Sequence, residues 1–330
     1  MSAGLPVIII PAVKSKSNQT VASVGELALL ERLTARLPSR GDVIIGAGDD
    51  CAVVRGARAD RFDYLLKSDS CVEGVHFTAR AGGEWVGHKA LGRVLSDIAA
   101  MGGEPLWALV DLVAPPQTPV KKIEKIYTGF NKLARQSGMA VVGGDVSAGR
   151  DLQLHVFGVG RVERGGAVLR SGARPGDAIF VTGFFGGSRA GKHLDFQPRL
   201  QEGQWLARGK WATAMIDVSD GLLRDLGHIC ASSGIGARLM LDAIPVSESA
   251  RQGAEGKSAL KSALNDGEDY ELLFTVPNDK TRAFLKAWRR MFRLSCVQIG
   301  RMTSRNGKLE GISSKGIKII LQEGGYEHFQ

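Results

Sequence analysis

The chain has 330 residues, 44% hydrophobic and 23% charged, the balance of an ordinary globular protein of about two domains. Its net charge of +9 suits anionic ligands, or is simply a basic solvated surface; the Lys and Arg are scattered, with no zinc finger, RNA-binding sheet signature or long basic arm, which argues against a nucleic-acid binder. The four cysteines, Cys51, Cys71, Cys230 and Cys296, form no CxxC pair, which excludes the usual zinc and disulfide frameworks and fits a reducing cytoplasm.

The start, Met1 to Val13, carries Val7-Ile8-Ile9-Ile10 between two prolines. It lacks a basic segment and is too short for a signal peptide or a membrane span, and no later run reaches that length. Residues 1–22 read as a flexible extension. Ser23 with Glu26 forms a capping-box pattern, and Leu27, Leu30 and Leu33 predict an amphipathic helix to about Leu37. Short strands follow at Val43-Ile44-Ile45, Cys51 to Val54 and Tyr64-Leu65-Leu66. Val86, Ala90, Val94, Ile98 and Met101 have helical spacing, stopped by Gly102-Gly103. Leu106 to Val113 reads as a strand and Val120 to Gln136 as a helix. Met139 to Val142 and Leu152 to Val162 read as strands on either side of Gly143-Gly144-Asp145.

The break at Arg164-Gly165-Gly166 places a domain boundary there, dividing 23–163 from 164–330. Ala178 to Thr182 predicts a strand, Gly183 to Gly191 a glycine-rich loop entering a helix, Ala214 to Val218 a strand and Gly221 to Ser232 a helix. Arg238 to Leu241, Tyr270 to Val276 and Cys296 to Met302 read as strands, with a helix over Lys280 to Phe292; Ala250 to Lys261 carries little signal. Mixed elements with antiparallel hairpins favour an α+β fold in two lobes over a doubly wound sheet.

The chemistry-bearing signal is a series of aspartates at strand ends or beside glycines: Asp49, Asp50, Asp69, Asp97, Asp145, Asp217 and Asp220. Any one of them alone is ordinarily a turn residue or helix cap. Together, semi-buried carboxylates repel and need neutralising, which hard divalent cations with oxygen ligands provide. Few histidines and unpaired cysteines argue against zinc. Neither a Walker loop nor the protein-kinase motif set is present. Gly183-Phe-Phe-Gly-Gly-Ser-Arg-Ala-Gly191 is either a loop-to-helix turn or a phosphate cradle. His76 reads as a packed residue or a ligand contact, and Glu268, Asp269 and Glu271 as a solvated turn or a strand-entrance acid cluster.

Taken together, the segments resemble the thiamine-monophosphate kinase family, whose fold group includes aminoimidazole ribonucleotide synthetase. The resemblance is carried by Gly48-Asp-Asp-Cys-Ala52, Ser68-Asp-Ser-Cys-Val-Glu-Gly-Val-His-Phe77, Leu95-Ser-Asp-Ile-Ala-Ala-Met-Gly102, Gly143-Gly-Asp145 and Arg170-Ser-Gly-Ala-Arg-Pro-Gly-Asp177. Ile216-Asp-Val-Ser-Asp-Gly-Leu222, Gly267-Glu-Asp-Tyr-Glu-Leu272 and Gly325-Tyr-Glu-His-Phe329 complete it, all in family order. It implies phosphorylation of thiamine monophosphate by ATP, and a homodimer whose N-terminal halves pair into a β-barrel with C-terminal α/β halves completing the sites. It also implies several Mg²⁺ ions held by Asp50, Ser68, Asp69, Asp97, Asp145, Asp217 and Asp220. ATP would contact Gly144, Asp145, Arg170, Ser219 and Tyr127. Substrate would contact His76, Glu268 and Tyr326, with the tyrosine stacking on a thiamine ring and the glutamate facing its cationic thiazolium. Neither nucleic acid nor membrane is an expected partner.

The chain departs from the family pattern at four places, the first being the N-terminal lead-in of about 22 residues, which has no counterpart there. Lys67 replaces the first of two hydroxyl residues before Asp69, where an ammonium either displaces an Mg²⁺ or contacts a phosphate. Asn265-Asp266 stands where glycine would begin a Gly-Gly-Glu-Asp run, and Gly186-Gly187-Ser188 lacks an aspartate. The rivals are a selenophosphate-synthetase-like or hydrogenase-maturation-like enzyme of the same fold group, each of which wants a reactive cysteine not found in the expected place. A rival of another class is a non-catalytic nucleotide- or nucleic-acid-binding protein, whose polynucleotide binding would be salt-sensitive.

Overall fold

The computed structural model describes residues 20–35, 37–253, 258–304, 307–321 and 324–326. Most of the 1–22 extension, part of the 250–261 stretch and the Glu327-His328-Phe329 motif lie outside the described residues. The chain separates into a small unit, residues 1–38 with 327–330, and a large one, Ser39–Tyr326.

In the small unit the expected single helix is two. Helix α1 spans Val21–Val24 and α2 Glu26–Thr34, broken at Gly25 with φ 78°. The Ser23–Glu26 capping box is not formed. Thr20 takes the cap instead, its Oγ1 accepting from the Ser23 N–H at 3.2 Å, because the left-handed turn at Gly25 ends one helix and starts the next. Leu27, Leu30 and Leu33 are exposed.

The large unit opens with β1 (Val43–Ile45), β2 (Ala52–Arg55) and β3 (Phe62–Val72), then α3 (Gly83–Ala100), β4 (Glu104–Ala114), α4 (Val120–Ser137), β5 (Ala140–Ala148) and β6 (Gln153–Glu163). The six strands form one mixed sheet in the order β1-β2-β3-β6-β4-β5, with β4 and β5 parallel across the α4 crossover. Helix α4 ends at Gly138, φ 73°, a left-handed C-cap. Helices α3 and α4 cover one face, burying Val86, Val94, Ile98, Ile126, Phe130 and Leu133 against Leu65, Val110, Leu154 and Val156. They approach closely because Gly87 offers no side chain: a Cβ there would meet the Ile126 carbonyl oxygen at 1.9 Å. The opposite face leaves Trp107, Leu109 and Phe157 exposed.

A second group follows: β7 (Ala178–Thr182), α5 (Lys192–Asp195), α6 (Leu200–Arg208), β8 (Ala214–Asp217), α7 (Leu222–Ser233), β9 (Gly236–Met240), α8 (Glu248–Gln252), α9 (Ala259–Asn265), β10 (Leu272–Val276), α10 (Thr281–Met291), β11 (Cys296–Thr303), β12 (Leu309–Ile312) and β13 (Lys318–Ile320). Its seven-stranded mixed sheet runs β13-β12-β9-β11-β7-β10-β8. One face packs on α7 and α9 through Leu222, Leu226, Ile229 and Ala263. The other packs on an aromatic cluster of Phe180, Trp205, Phe274, Phe284 and Trp288.

Three sequence expectations need correction. Gly143-Gly144-Asp145 does not separate two strands but lies inside β5, whose pairing with β4 continues past it through Ser147 and Ala148. The strand expected from Tyr270 begins at Leu272, because Tyr270 has φ 51°, outside the extended region. The glycine loop leads into a 3-10 turn and the four-residue α5, not a full helix.

Gly144 has φ 153°, and a Cβ on it would meet the Val110 carbonyl oxygen at 1.9 Å. Gly144→Ala is therefore expected to lower stability by at least about 2 kcal/mol. An unchanged thermal midpoint would refute the close β4–β5 approach.

Candidate active site

The α3 sequence places two stripes side by side. Val86, Ala90, Val94 and Ile98 face the core, and Lys89, Arg93 and Asp97, four apart, line the next row. Facing that charged row are β3, the Gly48-Asp49-Asp50 turn before β2, and the C-terminal end of β8.

Asp50, Asp97 and Asp217 are all buried, and a carboxylate oxygen from each lies within 4.8 Å of those of the other two. Arg170 grips the Asp50 side: its Nε and Nη2 donate to Asp50 Oδ1 at 3.0 and 2.5 Å. Its backbone N–H donates to Asp49 Oδ2 at 3.1 Å. Ser96 Oγ donates to Asp217 Oδ2 at 2.6 Å. Lys67 Nζ lies 3.0 Å from Asp97 Oδ1 and 3.8 Å from Asp69 Oδ1, and Arg93 Nη2 lies 3.6 Å from that same Asp69 oxygen.

Burial sets the protonation of this cluster. It pushes Asp217 up to about 7, with Asp50 adding to the effect and the Ser96 hydroxyl opposing it. Burial raises Asp50 despite Arg170, and raises Asp97 far above the carboxylate range despite Lys67. Asp49 rises to about 6 through burial and then through Asp50. Asp69 moves the other way: burial disfavours its charge, but Lys67 and Arg93 outweigh that and hold it below the ordinary value. Burial likewise opposes the charge on Lys67, and Asp97 with Asp69 more than offsets it.

Asp50 Oδ2 is buried and accepts no hydrogen bond. An orphaned oxygen beside two more carboxylates costs free energy in the free protein. A hard divalent cation would remove that cost, so these residues fit Mg²⁺.

The remaining sequence-predicted residues are distributed around this centre. Asp220 is partly exposed and 3.7 Å from Arg224 Nε. It groups with Asp225 and His228 rather than with the buried trio. Ser219 accepts from the Glu268 N–H at 2.7 Å through its carbonyl. His76 is buried, and its Nδ1 accepts from the Val72 N–H at 3.0 Å. Tyr326 is tied by its N–H to the Asp220 carbonyl at 3.0 Å and by its own carbonyl to Arg224. Arg189 lies 6.0 Å from its ring centroid.

Glu268 does not stand as a bare anion. It pairs with Lys89, which is fully buried and also donates to the His76 carbonyl at 2.6 Å. Glu268 has φ 66° and Tyr270 φ 51°. The Tyr270 ring stacks on Phe196 at 3.8 Å, and its N–H donates to the Val218 carbonyl at 2.8 Å. Such over-determined left-handed residues are typical of binding segments.

Four predicted residues are not brought to the carboxylate cluster within one chain. Ser68 is exposed, because strand alternation sends it to the face opposite Lys67 and Asp69. Gly144 and Asp145 lie on exposed edge strand β5; Asp145 is level with Ser70 but three strands from it, roughly 14 Å at ordinary strand spacing. Tyr127, half-buried on α4, has its hydroxyl pushed up by burial and then by Asp111, the register partner of Asp145.

The glycine loop resolves toward its structural reading. Gly186 N–H donates to both Asp269 oxygens and Gly187 N–H to Asp266. Carboxylates of the chain itself occupy these donors.

Several residues that surround the cluster carried a signal that sequence reasoning passed over. Lys89 and Arg93 continue the Asp97 stripe at helical spacing. Asp225 stands in the first turn of α7, and its Oδ2 accepts from the N–H groups of Ser219, Asp220 and Gly221, each at 3.1 Å. It thereby shapes the turn that carries Asp217 and Asp220.

The comparisons agree with this geometry. The profile for AIR synthase related protein, N-terminal domain, matches residues 48–162, and the profile for the C-terminal domain matches 167–311. Thiamine-monophosphate kinase of Salmonella typhimurium is 35% identical over 92% of this chain and 98% of its own length. The chain belongs to the thiamine-monophosphate kinase family. The Bacillus subtilis member is 32% identical over 92% of this chain and 99% of its own. The solved structure of AaThiL complexed with AMPPCP and TMP has 32% identity and a TM-score of 0.77, covering 95% of this chain and all of that one. The family's two-domain α+β fold places one mixed sheet in each half. Escherichia coli HypE, at 19% identity and TM-score 0.66, shares the fold alone.

Proposed function

We propose that the chain transfers the terminal phosphoryl group of ATP directly to thiamine monophosphate, giving ADP and thiamine diphosphate. It is accordingly an enzyme, a thiamine-phosphate kinase. The observation that carries the reading is the buried Asp50–Asp97–Asp217 cluster with its orphaned oxygen, in a chain that aligns along its length with a protein complexed with AMPPCP and TMP.

Phosphoryl transfer asks a protein for positioning and charge neutralisation rather than covalent chemistry. Asp50, Asp97 and Asp217, with Asp69 and Asp220 at the rim, would hold Mg²⁺. Bound there, Mg²⁺ supplies the positive charge that lets two phosphate-bearing molecules approach. Arg170 orients Asp50 through one oxygen and keeps the other turned into the cluster. The acceptor is a phosphate oxygen, anionic near neutral pH, so no general base is needed and in-line displacement suffices. Ser219 and Arg170 are the nucleotide contacts within the chain. His76, Glu268 and Tyr326 take the second substrate. Because Lys89 already neutralises Glu268, this carboxylate serves as an oriented acceptor rather than a free counter-ion to the thiazolium.

Gly144, Asp145 and Tyr127 enter the reading through a homodimer. The exposed apolar patch of Trp107, Leu109 and Phe157, with the open edge of β5, supports pairing of two N-terminal halves into a barrel. That pairing would bring one copy's Asp145 edge toward its partner's cluster. Ser68, on the same outer face, belongs to that interface rather than to the metal. Residues 23–163 form the nucleotide- and metal-binding, dimerising domain of this reading, and 164–330 the domain completing the site. Among the described residues no helix is long and apolar enough to cross a membrane, and the free cysteines support a cytoplasmic setting.

Incubation with ATP, Mg²⁺ and thiamine monophosphate should yield thiamine diphosphate, read by chromatography. Stabilisation by ATP without product formation would refute the kinase reading.

A further inference from the structure

The cations of the cluster are unevenly placed. Asp50 is held on one oxygen by Arg170, and Asp217 by the Ser96 hydroxyl. At the opposite end Lys67 Nζ stands between Asp97 and Asp69, 3.0 and 3.8 Å from their oxygens, with Arg93 closing on Asp69 at 3.6 Å. Lys67 reaches this place because β3 alternation turns it, like Asp69, toward α3, while Ser68 turns away. Its side chain is only 21% exposed. The orphaned oxygen is at the other end, on Asp50.

We infer that Lys67 is a resident cation occupying the Asp69–Asp97 end of the cluster in place of a divalent ion, so the chain binds one metal ion fewer than its carboxylates alone would hold. This rests on the reading that the cluster binds divalent cations. Sequence left two roles for Lys67, displacing an ion or contacting a phosphate, and the ammonium here is directed at Asp97. Two carboxylates this close need a neighbouring positive charge. An ammonium fixed to β3 supplies it without coordination geometry and without exchange with solvent. Asp69 then serves Lys67 and Arg93 in place of an ion, which leaves Asp50, Asp97 and Asp217, with Asp220 at the rim, as the metal-binding end.

Counting bound Mn²⁺ by electron paramagnetic resonance, with AMPPCP present and no turnover, tests the inference. Lys67→Ser and Lys67→Met remove the charge and should each bind one additional saturable Mn²⁺ per chain. Adding Asp69→Asn to Lys67→Ser should abolish the extra ion. Lys67→Arg keeps the charge and should match the wild type. An unchanged count in a folded neutral variant overturns the inference, as does an added ion in Lys67→Arg, which decides the matter if neither neutral variant folds. Absence of Mn²⁺ from every variant overturns it together with the metal assignment. Product formation from ATP and thiamine monophosphate is a separate readout. No product with an ion gained in Lys67→Ser sinks the kinase reading and keeps this one; turnover with no ion gained does the reverse.

Discussion

Asp50→Asn is expected to lower kcat on the order of 10³-fold or more, about 4 kcal/mol of transition-state stabilisation, while the protein stays folded. Asp50 supplies the one buried carboxylate oxygen of the trio that accepts nothing from the protein. An asparagine either turns an amide N–H₂ into the cluster, where it repels a cation, or turns it onto Arg170, where it clashes with a donor. Both outcomes remove a full negative charge from a site whose work is electrostatic. The fold should tolerate the change, because burial already raises Asp50 and Asp97 toward their neutral forms. One carboxylate fewer relieves mutual repulsion and offsets the loss of the Arg170 ion pair. Steady-state kinetics at several Mg²⁺ concentrations, with circular dichroism of the variant, reads both halves. A kcat within about threefold of wild type would refute the role given to Asp50.

The same electrostatics explains what could be read from the chain. Aspartates beside glycines at strand ends stood out because each interrupts an apolar run, and three of them, Asp50, Asp97 and Asp217, meet in space. The strands whose alternation or apolar content was strong, β7 and β6 above all, were found near their ends. What failed was everything set by partners distant in sequence. Arg170 meets Asp50 across 120 positions, and no local pattern announces that. The β5 strand runs through two glycines because its backbone lies so close to Val110 of β4 that a Cβ on Gly144 would not fit, a contact no local pattern shows. The short strand β12, the edge strand β13 and helix α6 lacked periodic length. The placement of Ser68 was legible as well: a period of two already puts it on the face opposite Asp69. The stripe of Lys89, Arg93 and Asp97 was legible too, at a period of four, once an apolar stripe beside it had been noted.

Glu271→Gln should destabilise the fold by about 3 kcal/mol at pH 7, lowering the thermal midpoint by roughly 5–10 °C. Glu271 is 1% exposed and stands at the strand entrance before β10. Arg199 Nε and Nη2 each donate to it at 2.7 Å, Lys192 Nζ at 3.0 Å and Thr182 Oγ1 at 2.8 Å. Glutamine keeps the shape but removes the charge, so two half-buried cations lose the buried carboxylate they both donate to, and one amide proton faces a donor. Burial alone would raise the carboxyl, but Arg199 and Lys192 outweigh it and hold Glu271 below its ordinary value of 4.5. The sign follows from that order. A carboxyl whose folded value is depressed contributes stability that is fully present above its unfolded value and is lost as pH falls through the folded one. The stability gap between wild type and Glu271→Gln should therefore be full at pH 7 and shrink below about pH 4, where the wild-type carboxyl takes up a proton and comes to resemble the amide. Urea unfolding of both proteins from pH 7 down to pH 3.5 measures the gap. A gap that stays constant or widens toward acid would show that Glu271 acts through packing rather than charge. Because Glu271, Asp269 and Asp266 together anchor the glycine loop and the segment bearing Glu268 and Tyr270, the same variant should loosen the second-substrate side and raise KM more than it lowers kcat.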